Sequence, residues 1–177
     1  MKPRRSVVGV ISDTHGLLRP EAVDALRGSE MIVHAGDIGS PEVLRGLEAL
    51  APVIAVRGNN DHGPWADKLP ITDLVELGAA ALYVLHDVKA LDLDPRDAGV
   101  SVVIAGHSHR PRCEEREGVL FFNPGSAGPR RFRLPVSVGH LVISGRRRRS
   151  SRRRSRRTST SSGSRSSRGP TSCSHDG

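Results

Sequence analysis

Seven side chains that could bind metal ions stand in five short clusters within the first 110 residues of the chain. They are Asp13, His15, Asp37, Asn59, His86, His107 and His109. Carboxylate, imidazole and amide oxygen together suit a divalent transition metal, whereas Mg²⁺ and Ca²⁺ sites favour oxygen ligands alone. Seven ligands are too many for one tetrahedral ion, but they suffice for two ions that share a bridging carboxylate. The residue types therefore predict a dinuclear transition-metal site.

The expected charge of such a site favours an anionic substrate. By formal count, two divalent ions outweigh Asp13, Asp37 and a bridging hydroxide by about +1. A phosphate ester would complete this balance. In two-metal centres, ions about 3.5–4 Å apart activate a bridging water and stabilise the charge of the transition state. We therefore expect phosphate-ester hydrolysis by a metal-bridging hydroxide nucleophile, with no covalent enzyme intermediate.

Each cluster follows an apolar run that is typical of a buried strand. These runs are rich in β-branched residues, and they cover residues 7–11, 31–33, 53–56, 81–85 and 100–105. We interpret them as the strands of a central sheet. Because the carboxyl ends of parallel strands meet at one edge of a sheet, where α/β proteins place their ligands, the clusters are expected to converge on one site.

Two helices and a last pair of strands complete the expected fold. Ser40, Pro41 and Glu42 are typical of a helix start, and the apolar residues after them continue at helical spacing to residue 50. A second helix is expected over residues 20–27. Residues 119–122 and 136–143 have the composition of strands and are expected to pair antiparallel, because the loop between them is short. This order predicts an α/β protein in which helices cover layered sheets.

The charge of the chain is uneven along its length. The net charge of the 177 residues is +8, but residues 1–145 carry 16 Lys or Arg against 18 Asp or Glu, whereas residues 146–177 carry 11 Arg and one Asp.

The length predicts one catalytic domain, over residues 1–145. The Arg/Ser-rich segment 146–177 is predicted to be a disordered tail. It would either contact nucleic acid or other polyanions non-specifically or be a solvated extension.

The cysteine count and the start of the chain bear on cellular location. Cys113 and Cys173 are too few for a disulfide framework or a cysteine zinc cluster, which favours a reducing cytoplasm. The first apolar run stops at Asp13 and is too short for a secretory core or a membrane helix. We therefore expect a cytoplasmic protein with no membrane partner. The sequence carries no signal of oligomeric state.

The ordered motifs resemble those of the calcineurin-like metallophosphoesterases. They are Asp13-Thr14-His15, Gly36-Asp37, Gly58-Asn59-Asn60-Asp61, His86 and Gly106-His107-Ser108-His109. The chain length and Asn123-Pro124-Gly125-Ser126 are similar to the small YfcE-type phosphodiesterase subgroup. The resemblance covers residues 6–144. It implies a four-layer α/β/β/α sandwich of two mixed β-sheets flanked by helices, and a small phosphodiester as the substrate.

The same resemblance implies how the metal ligands are shared between two ions. The first ion would be bound by Asp13, His15, Asp37 and His109. The second ion would be bound by Asp37, Asn59, His86 and His107, so that Asp37 is the bridge. The family commonly binds transition metals, and two manganese ions are the first expectation, with nickel, iron, cobalt or zinc as alternatives.

Two positions depart from the family pattern. Asn60 stands where many members have histidine or cysteine, so an auxiliary imidazole is absent and a monoester substrate is less favoured. Asp87 follows His86 where members usually have glycine. It adds a side chain and a negative charge beside the second metal, which could change metal preference or rate.

Three further polar residues have predicted roles. Asp61 is expected to orient a histidine ligand, and His62 to donate a proton to the leaving oxygen. These two are the candidate catalytic residues. His34 lies within a strand and is interpreted as a core histidine with satisfied hydrogen bonds.

Three alternative functions remain open at this point. One is a phosphomonoesterase, and another is a nucleic-acid-associated phosphoesterase that acts together with the basic tail. The third, from a different class, is a catalytically silent interaction scaffold on the same fold, as in the retromer subunit that this family also resembles.

Overall fold

Two stacked β-sheets make up most of the computed structural model, which describes residues 5–131, 133–144 and 171–176. The strands are β1 (Arg5–Ile11), β2 (Met31–His34), β3 (Val53–Ala55), β4 (Thr72–Leu77), β5 (Ala80–Leu85), β6 (Val102–Ile104), β7 (Arg112–Arg116), β8 (Val119–Asn123), β9 (Val138–Ser144) and β10 (Thr171–Asp176). The α-helices are α1 (Pro20–Leu26) and α2 (Pro41–Glu48).

Both sheets have five strands in the described part of the chain, and both are mixed. The first sheet has the order β10-β9-β1-β2-β3, in which β1, β2 and β3 are parallel. The second sheet has the order β4-β5-β6-β8-β7, in which β5, β6 and β8 are parallel. The predicted sandwich of two mixed sheets is confirmed, and each sheet presents the carboxyl ends of three neighbouring parallel strands.

The main apolar core lies between the two sheets. Val8 and Val10 of β1 belong to the same buried cluster as Leu82, Ile104 and Phe122 of the second sheet, and all five are at most 2% exposed. Burial of each such side chain contributes about 1.5–3 kcal/mol to folding. This core joins the sheets and therefore fixes how their strand ends meet.

The two predicted helices are confirmed, and both cover the outer face of the first sheet. Leu26 of α1 and Leu47 of α2 pack in a second apolar cluster with Ile32 of β2. Each helix has a proline at its first turn, Pro20 or Pro41, where the missing N–H costs nothing. No helix among the described residues is both long and apolar enough to span a bilayer.

The outer face of the second sheet is covered by a loop segment. Val103 and Val119 pack there against Leu91, close to a short 3₁₀ turn at Val88–Ala90. In the described part of the chain, the α-helical layer therefore lies on the first sheet, and irregular structure covers the second.

Two expectations about strand pairing are wrong. The five apolar runs do not form one central sheet, because three of them belong to the first sheet and two, β5 and β6, belong to the second. The expected pair of β8 with β9 does not form, since β8 lies between β6 and β7 and β9 lies between β1 and β10. An apolar pattern shows that a strand is buried, but it does not show which sheet buries it.

The prediction of a disordered tail over residues 146–177 is wrong for residues 171–176. These residues form β10, which pairs antiparallel with β9. Cys173 of β10 also forms a disulfide with Cys113 of β7, with a Cα–Cα distance of 6.7 Å. Because disulfides persist in oxidising compartments, this bond removes the support that the cysteine count gave to a reducing cytoplasm. Residues 146–170 and 177 lie outside the described residues.

Candidate metal centre

The seven predicted ligands all lie on loops that leave the carboxyl ends of parallel strands. Asp13 and His15 follow β1, Asp37 follows β2, Asn59 follows β3, His86 follows β5, and His107 and His109 follow β6. The candidate ligand atoms of Asp13, His15 and His109 lie within 4.8 Å of one another, and so do those of Asp13, Asp37 and His86. The loops of both sheets thus meet at one end of the sandwich.

Five of these residues share an unusual backbone conformation. Their φ angles lie in the left-handed region, with values of 55° for Asp13, 47° for His15, 54° for Asp37, 64° for His107 and 57° for His109. Glu117 is the other described non-glycine residue with a positive φ. Such a conformation costs about 1–3 kcal/mol per residue and persists only where the surroundings enforce it. Strain in the described part of the chain is therefore concentrated at the candidate site.

Two glycines let the loops from the two sheets come close together. A Cβ atom on Gly36, which has a φ of 92°, would lie 2.6 Å from Nδ1 of His86. A Cβ atom on Gly58 would collide with the backbone of Asp37. Any larger residue at either position would push the ligand loops apart.

Asp13 is a fully buried carboxylate, and one of its oxygens has no hydrogen-bond partner. Its Oδ2 accepts hydrogen bonds from Oγ of Ser12, at 2.6 Å, and from the backbone N–H of His107, at 3.1 Å. Its Oδ1 faces Nε2 of His109 at 3.1 Å but has no hydrogen-bond partner. Burial raises the pKa of Asp13 above its ordinary value, and the Ser12 hydrogen bond only partly offsets this. A bound cation would reverse this effect and stabilise the anion.

Asp37 presents its two oxygens to two different histidines. Oδ1 lies 3.4 Å from Nε2 of His86, and Oδ2 lies 3.9 Å from Nε2 of His15. Asn60 donates to both oxygens, from its backbone N–H at 2.8 Å and from its side-chain amide at 2.6 Å. Burial alone would raise the pKa of Asp37, but the His86 ring and the Asn60 donors hold it below its ordinary value. The two oxygens of Asp37 thus face one histidine from each of the two tight groups.

The His86 ring is fixed by the backbone of the first sheet. Its Nδ1 lies 2.7 Å from the carbonyl oxygen of Ala35, so this nitrogen carries the proton and donates. Nε2 is then the nitrogen that faces Asp37. Nε2 is buried and has no hydrogen-bond partner. A histidine held in this way is ready to bind a metal ion.

Asn59 and His107 form the outer side of the cluster. Oδ1 of Asn59 lies 3.1 Å from Nδ1 of His107. The rings of His107 and His86 are in contact edge to face, with their centroids 5.1 Å apart. These two residues are therefore next to the other five, although neither belongs to the two tight groups described above.

A cavity of about 690 Å³ opens beside this outer side. Asn59, His86 and His107 form its metal-side wall, and Ile71, Tyr83 and Leu85 form an apolar wall. Arg57, His62, Asp87 and Asp92 line it as well. The cavity is large enough for a drug-sized or nucleotide-sized group. It adjoins the outer part of the cluster.

The structure places the two candidate catalytic residues differently. Asp61 is buried, and its carboxylate accepts hydrogen bonds from the backbone N–H groups of Gly39 and Gly58, both at 2.8 Å. The expectation that Asp61 orients a histidine is therefore corrected, because it ties the loops after β2 and β3 to each other. His62 is exposed on the cavity wall, and its role as a proton donor stays a prediction.

His34 is a core histidine with both ring nitrogens hydrogen-bonded, as interpreted from the sequence. Nδ1 accepts from the backbone N–H of Gly36 at 3.2 Å. Nε2 lies 2.9 Å from Oγ of Thr14, which itself donates to the carbonyl oxygen of Ile38. Nε2 therefore carries the ring proton. Burial lowers the pKa of His34 from 6.5 to about 3, so the ring is neutral and supports the Asp13–His15 loop.

Sequence reasoning missed three residues that hold the ligands in place. Ser12 and Asn60 donate to the two aspartates, and Asn123 donates from its side chain to the carbonyl oxygen of Gly106 at 2.7 Å. From its composition, Asn123-Pro124-Gly125-Ser126 is most simply a turn, whose backbone could shape the rim of a substrate cleft. Asn123 ends β8 at the same edge where the ligands follow their strands, so the strand-end rule applied to residues 119–122 could have found it.

Comparisons with known proteins agree with the geometry of the site. Residues 7–146 match the family model of the calcineurin-like phosphoesterase superfamily domain. A probable metallophosphoesterase from Methanothermobacter thermautotrophicus is 40% identical over 132 residues, covering 68% of this chain and 76% of that protein. Phosphodiesterase YfcE from Escherichia coli is 29% identical over 160 residues, covering 73% of this chain and 84% of that protein.

A solved structure supports the fold. Vacuolar protein sorting 29 from Cryptosporidium parvum matches with a TM-score of 0.69 and 22% identity, covering 80% of this chain and 86% of that chain. At this level of identity the likeness concerns the sandwich fold alone.

We predict that His34 makes the stability of the protein depend on pH. Between pH 6.5 and about 3, His34 is protonated in the unfolded chain but not in the folded one, so the free energy of unfolding falls as the pH falls. His34→Gln keeps an N–H donor but does not titrate. Between pH 6.5 and 4.5, the free energy of unfolding should fall by about 2 kcal/mol less in His34→Gln than in wild type.

Urea denaturation of the metal-free protein at several pH values measures this difference. The matched control is His62→Gln, which removes an exposed histidine and should give a curve parallel to that of wild type. Parallel curves for wild type and His34→Gln would contradict the assignment of His34 as a buried neutral histidine.

Proposed function

The chain belongs to the calcineurin-like phosphoesterase superfamily, and from this premise we propose that it is a metal-dependent phosphodiesterase with a dinuclear centre. The phosphodiesterase name of its YfcE relative supports the diester assignment. The proposal assigns the phosphoester hydrolysis of the family to the ligand cluster at the strand ends.

One observation carries the proposal. Three buried atoms of the cluster have no hydrogen-bond partner, namely Oδ1 of Asp13, Nε2 of His15 and Nε2 of His86. Each unsatisfied buried polar group costs about 1–3 kcal/mol. A carboxylate oxygen and two imidazole nitrogens are also the donor atoms that a transition-metal ion accepts. The residues present therefore fit bound cations.

The proposed ligand sets are those that the resemblance implies. One ion would be held by Asp13, His15, Asp37 and His109, and the other by Asp37, Asn59, His86 and His107. The position of Asp37 between His15 and His86 supports its role as the bridge. Manganese is our first choice. Nickel, iron, cobalt and zinc are alternatives, because mixed oxygen and nitrogen ligands bind all of these ions.

When bound, two such ions supply the Lewis acidity that turns a water molecule into a hydroxide nucleophile and neutralises the phosphate. The chain's own residues orient the reaction. Ser12 and Asn60 hold the two carboxylates, and the carbonyl of Ala35 holds His86 in the tautomer that presents Nε2. These hydrogen bonds preorganise the ligand atoms before substrate arrives.

A diester is favoured over a monoester for two reasons. The side-chain amide of Asn60 is turned towards Asp37, at 2.6 Å, and is thus engaged inside the cluster rather than offered to a phosphate oxygen. The cavity of about 690 Å³ beside the cluster could hold the second substituent that a diester carries. Its apolar wall of Ile71, Tyr83 and Leu85 suits a substituent with apolar surface.

The alternatives are a phosphomonoesterase, a nucleic-acid-associated phosphoesterase and a silent scaffold. The likeness to vacuolar protein sorting 29 raises the scaffold, but that likeness concerns the fold alone. All seven ligand positions are filled in this chain, which favours the enzyme over a scaffold that has lost ligands. Polyanion contact through the Arg/Ser segment and a cytoplasmic location stay predictions.

Metal reconstitution tests the proposed function. We expect metal-stripped protein to regain turnover of bis(4-nitrophenyl) phosphate when Mn²⁺ is added, and to turn over 4-nitrophenyl phosphate more slowly. Asp37→Asn should lower diester turnover by more than about 100-fold, because it removes the shared anionic ligand. Asp24→Asn makes the same change at an exposed position on α1 and should leave turnover unchanged.

Several outcomes would contradict the proposal. If neither ester is hydrolysed with Mn²⁺, Ni²⁺, Co²⁺, Fe²⁺ or Zn²⁺, the chain is not a metal-dependent phosphoesterase. Near-normal turnover in Asp37→Asn would refute the bridging role. Faster turnover of the monoester than of the diester would show that the protein is a phosphomonoesterase and not a phosphodiesterase.

A second experiment tests His62 as the proton donor. An alkyl alkoxide needs a proton as it leaves, whereas a nitrophenolate does not. His62→Ala should therefore lower kcat about 100-fold for a diester with an alkyl leaving group and leave kcat for bis(4-nitrophenyl) phosphate nearly unchanged. Equal effects on both substrates, measured side by side with Mn²⁺ bound, would show that His62 is not the donor.

A further inference from the structure

We infer that Asp87 is a positioning residue that holds the His107 ring in its metal-binding orientation. This inference rests on the proposed dinuclear function. His107 is the least enclosed of the four histidine ligands, with 44% of its side chain exposed, compared with 13% for His15, 6% for His86 and 11% for His109. The packing that holds the other rings is therefore weaker around His107.

The two ring nitrogens of His107 face two different groups. Nδ1 lies 3.1 Å from Oδ1 of Asn59, and Nε2 lies 3.8 Å from Oδ2 of Asp87. Asn59 is a proposed ligand of the second ion, so Nδ1 is the nitrogen on the metal side of the ring. Nε2 is then the outer nitrogen, and it faces Asp87. Without metal, Nδ1 donates to the Asn59 oxygen. With an ion bound by Asn59 and Nδ1, the ring proton would lie on Nε2, beside Asp87.

A carboxylate at the outer nitrogen of a metal-bound histidine has two effects. It fixes the tautomer, so that the other nitrogen offers its lone pair, and it makes that lone pair a stronger donor. His86 has a comparable partner in the carbonyl oxygen of Ala35. Asp87 gives the exposed His107 the support that the backbone gives to His86.

Asp87 is itself held in place. Its Oδ1 accepts a hydrogen bond from the backbone N–H of Lys89 at 3.0 Å, at the start of the 3₁₀ turn Val88–Ala90. The carboxylate therefore has one oxygen anchored to the backbone and the other directed at His107. A glycine at this position could not provide either contact.

Asp92 offers a matched control. It lines the same cavity as Asp87 and carries the same charge, but the carboxylate in ion-pair distance of His107 among the described residues is that of Asp87. A general attraction of cations to an acidic cavity would involve both residues. A positioning effect on His107 requires Asp87 alone.

Calorimetric titration of Mn²⁺ into the metal-stripped full chain separates positioning from general attraction. Asp87→Asn keeps an oxygen for the Lys89 N–H but loses the charge. We expect one of its two Kd values to rise by about 10–100-fold, with the other unchanged, and we expect both Kd values of Asp92→Asn to equal those of wild type. Equal melting temperatures of the metal-free variants show that the fold is intact.

The outcomes distinguish this inference from the proposed function. If wild type binds two ions and Asp87→Asn binds both equally well, Asp87 does not position His107, while the dinuclear centre stands. Equal weakening of Mn²⁺ binding in Asp87→Asn and Asp92→Asn would show that general electrostatic attraction, and not positioning of His107, explains the effect of Asp87. If wild type binds no ions, the proposed function fails and this inference fails with it.

Discussion

The burial of two carboxylates among the histidine rings of the cluster is the constraint on which the rest of the structure depends. Asp13 and Asp37 are almost completely removed from solvent, at 0% and 2% exposure. A buried charge without compensation costs several kcal/mol. The Asn60 donors and the His86 ring stabilise the Asp37 anion, but the Ser12 hydrogen bond only partly offsets the burial of Asp13. Divalent cations would supply the missing charge and occupy the unsatisfied ligand atoms. The buried charge of Asp13 is therefore the part of the site that most needs a bound cation.

The fold accommodates this constraint by placing it where two sheets end. The core between the sheets is apolar and fixes the strands, while the loops beyond the strand ends carry all of the polar ligands. Left-handed backbone at five of the ligands concentrates strain there. The Asp61 carboxylate and the Asn123 amide tie these loops to one another through backbone groups. The stability of the sandwich thus supports a site that would not hold its shape in an isolated loop.

Much of the site could be predicted from the sequence, because metal-binding residue types recur directly after buried strands and the ends of such strands converge. The division of the strands between two sheets could not be predicted from composition, since both β1 and β6 contain a buried apolar run and the pattern of apolar residues does not show which strand is the partner. Strand β10 was missed because its Ser-rich sequence has the composition of a disordered segment, and its order depends on pairing with β9 and on Cys113. The role of Asp61 was mistaken because a buried carboxylate next to metal ligands can accept hydrogen bonds from a histidine or from backbone amides. Which donor it has depends on the geometry of the loops.

Anomalous diffraction from crystals of the full chain grown with Mn²⁺ tests the dinuclear centre most directly. Data collected on both sides of the manganese absorption edge locate the ions without reference to activity. We expect two peaks about 3.5–4 Å apart, with the Asp37 carboxylate between them and the other six proposed ligands around them. A single peak, peaks away from Asp37, or no peak would contradict the dinuclear centre.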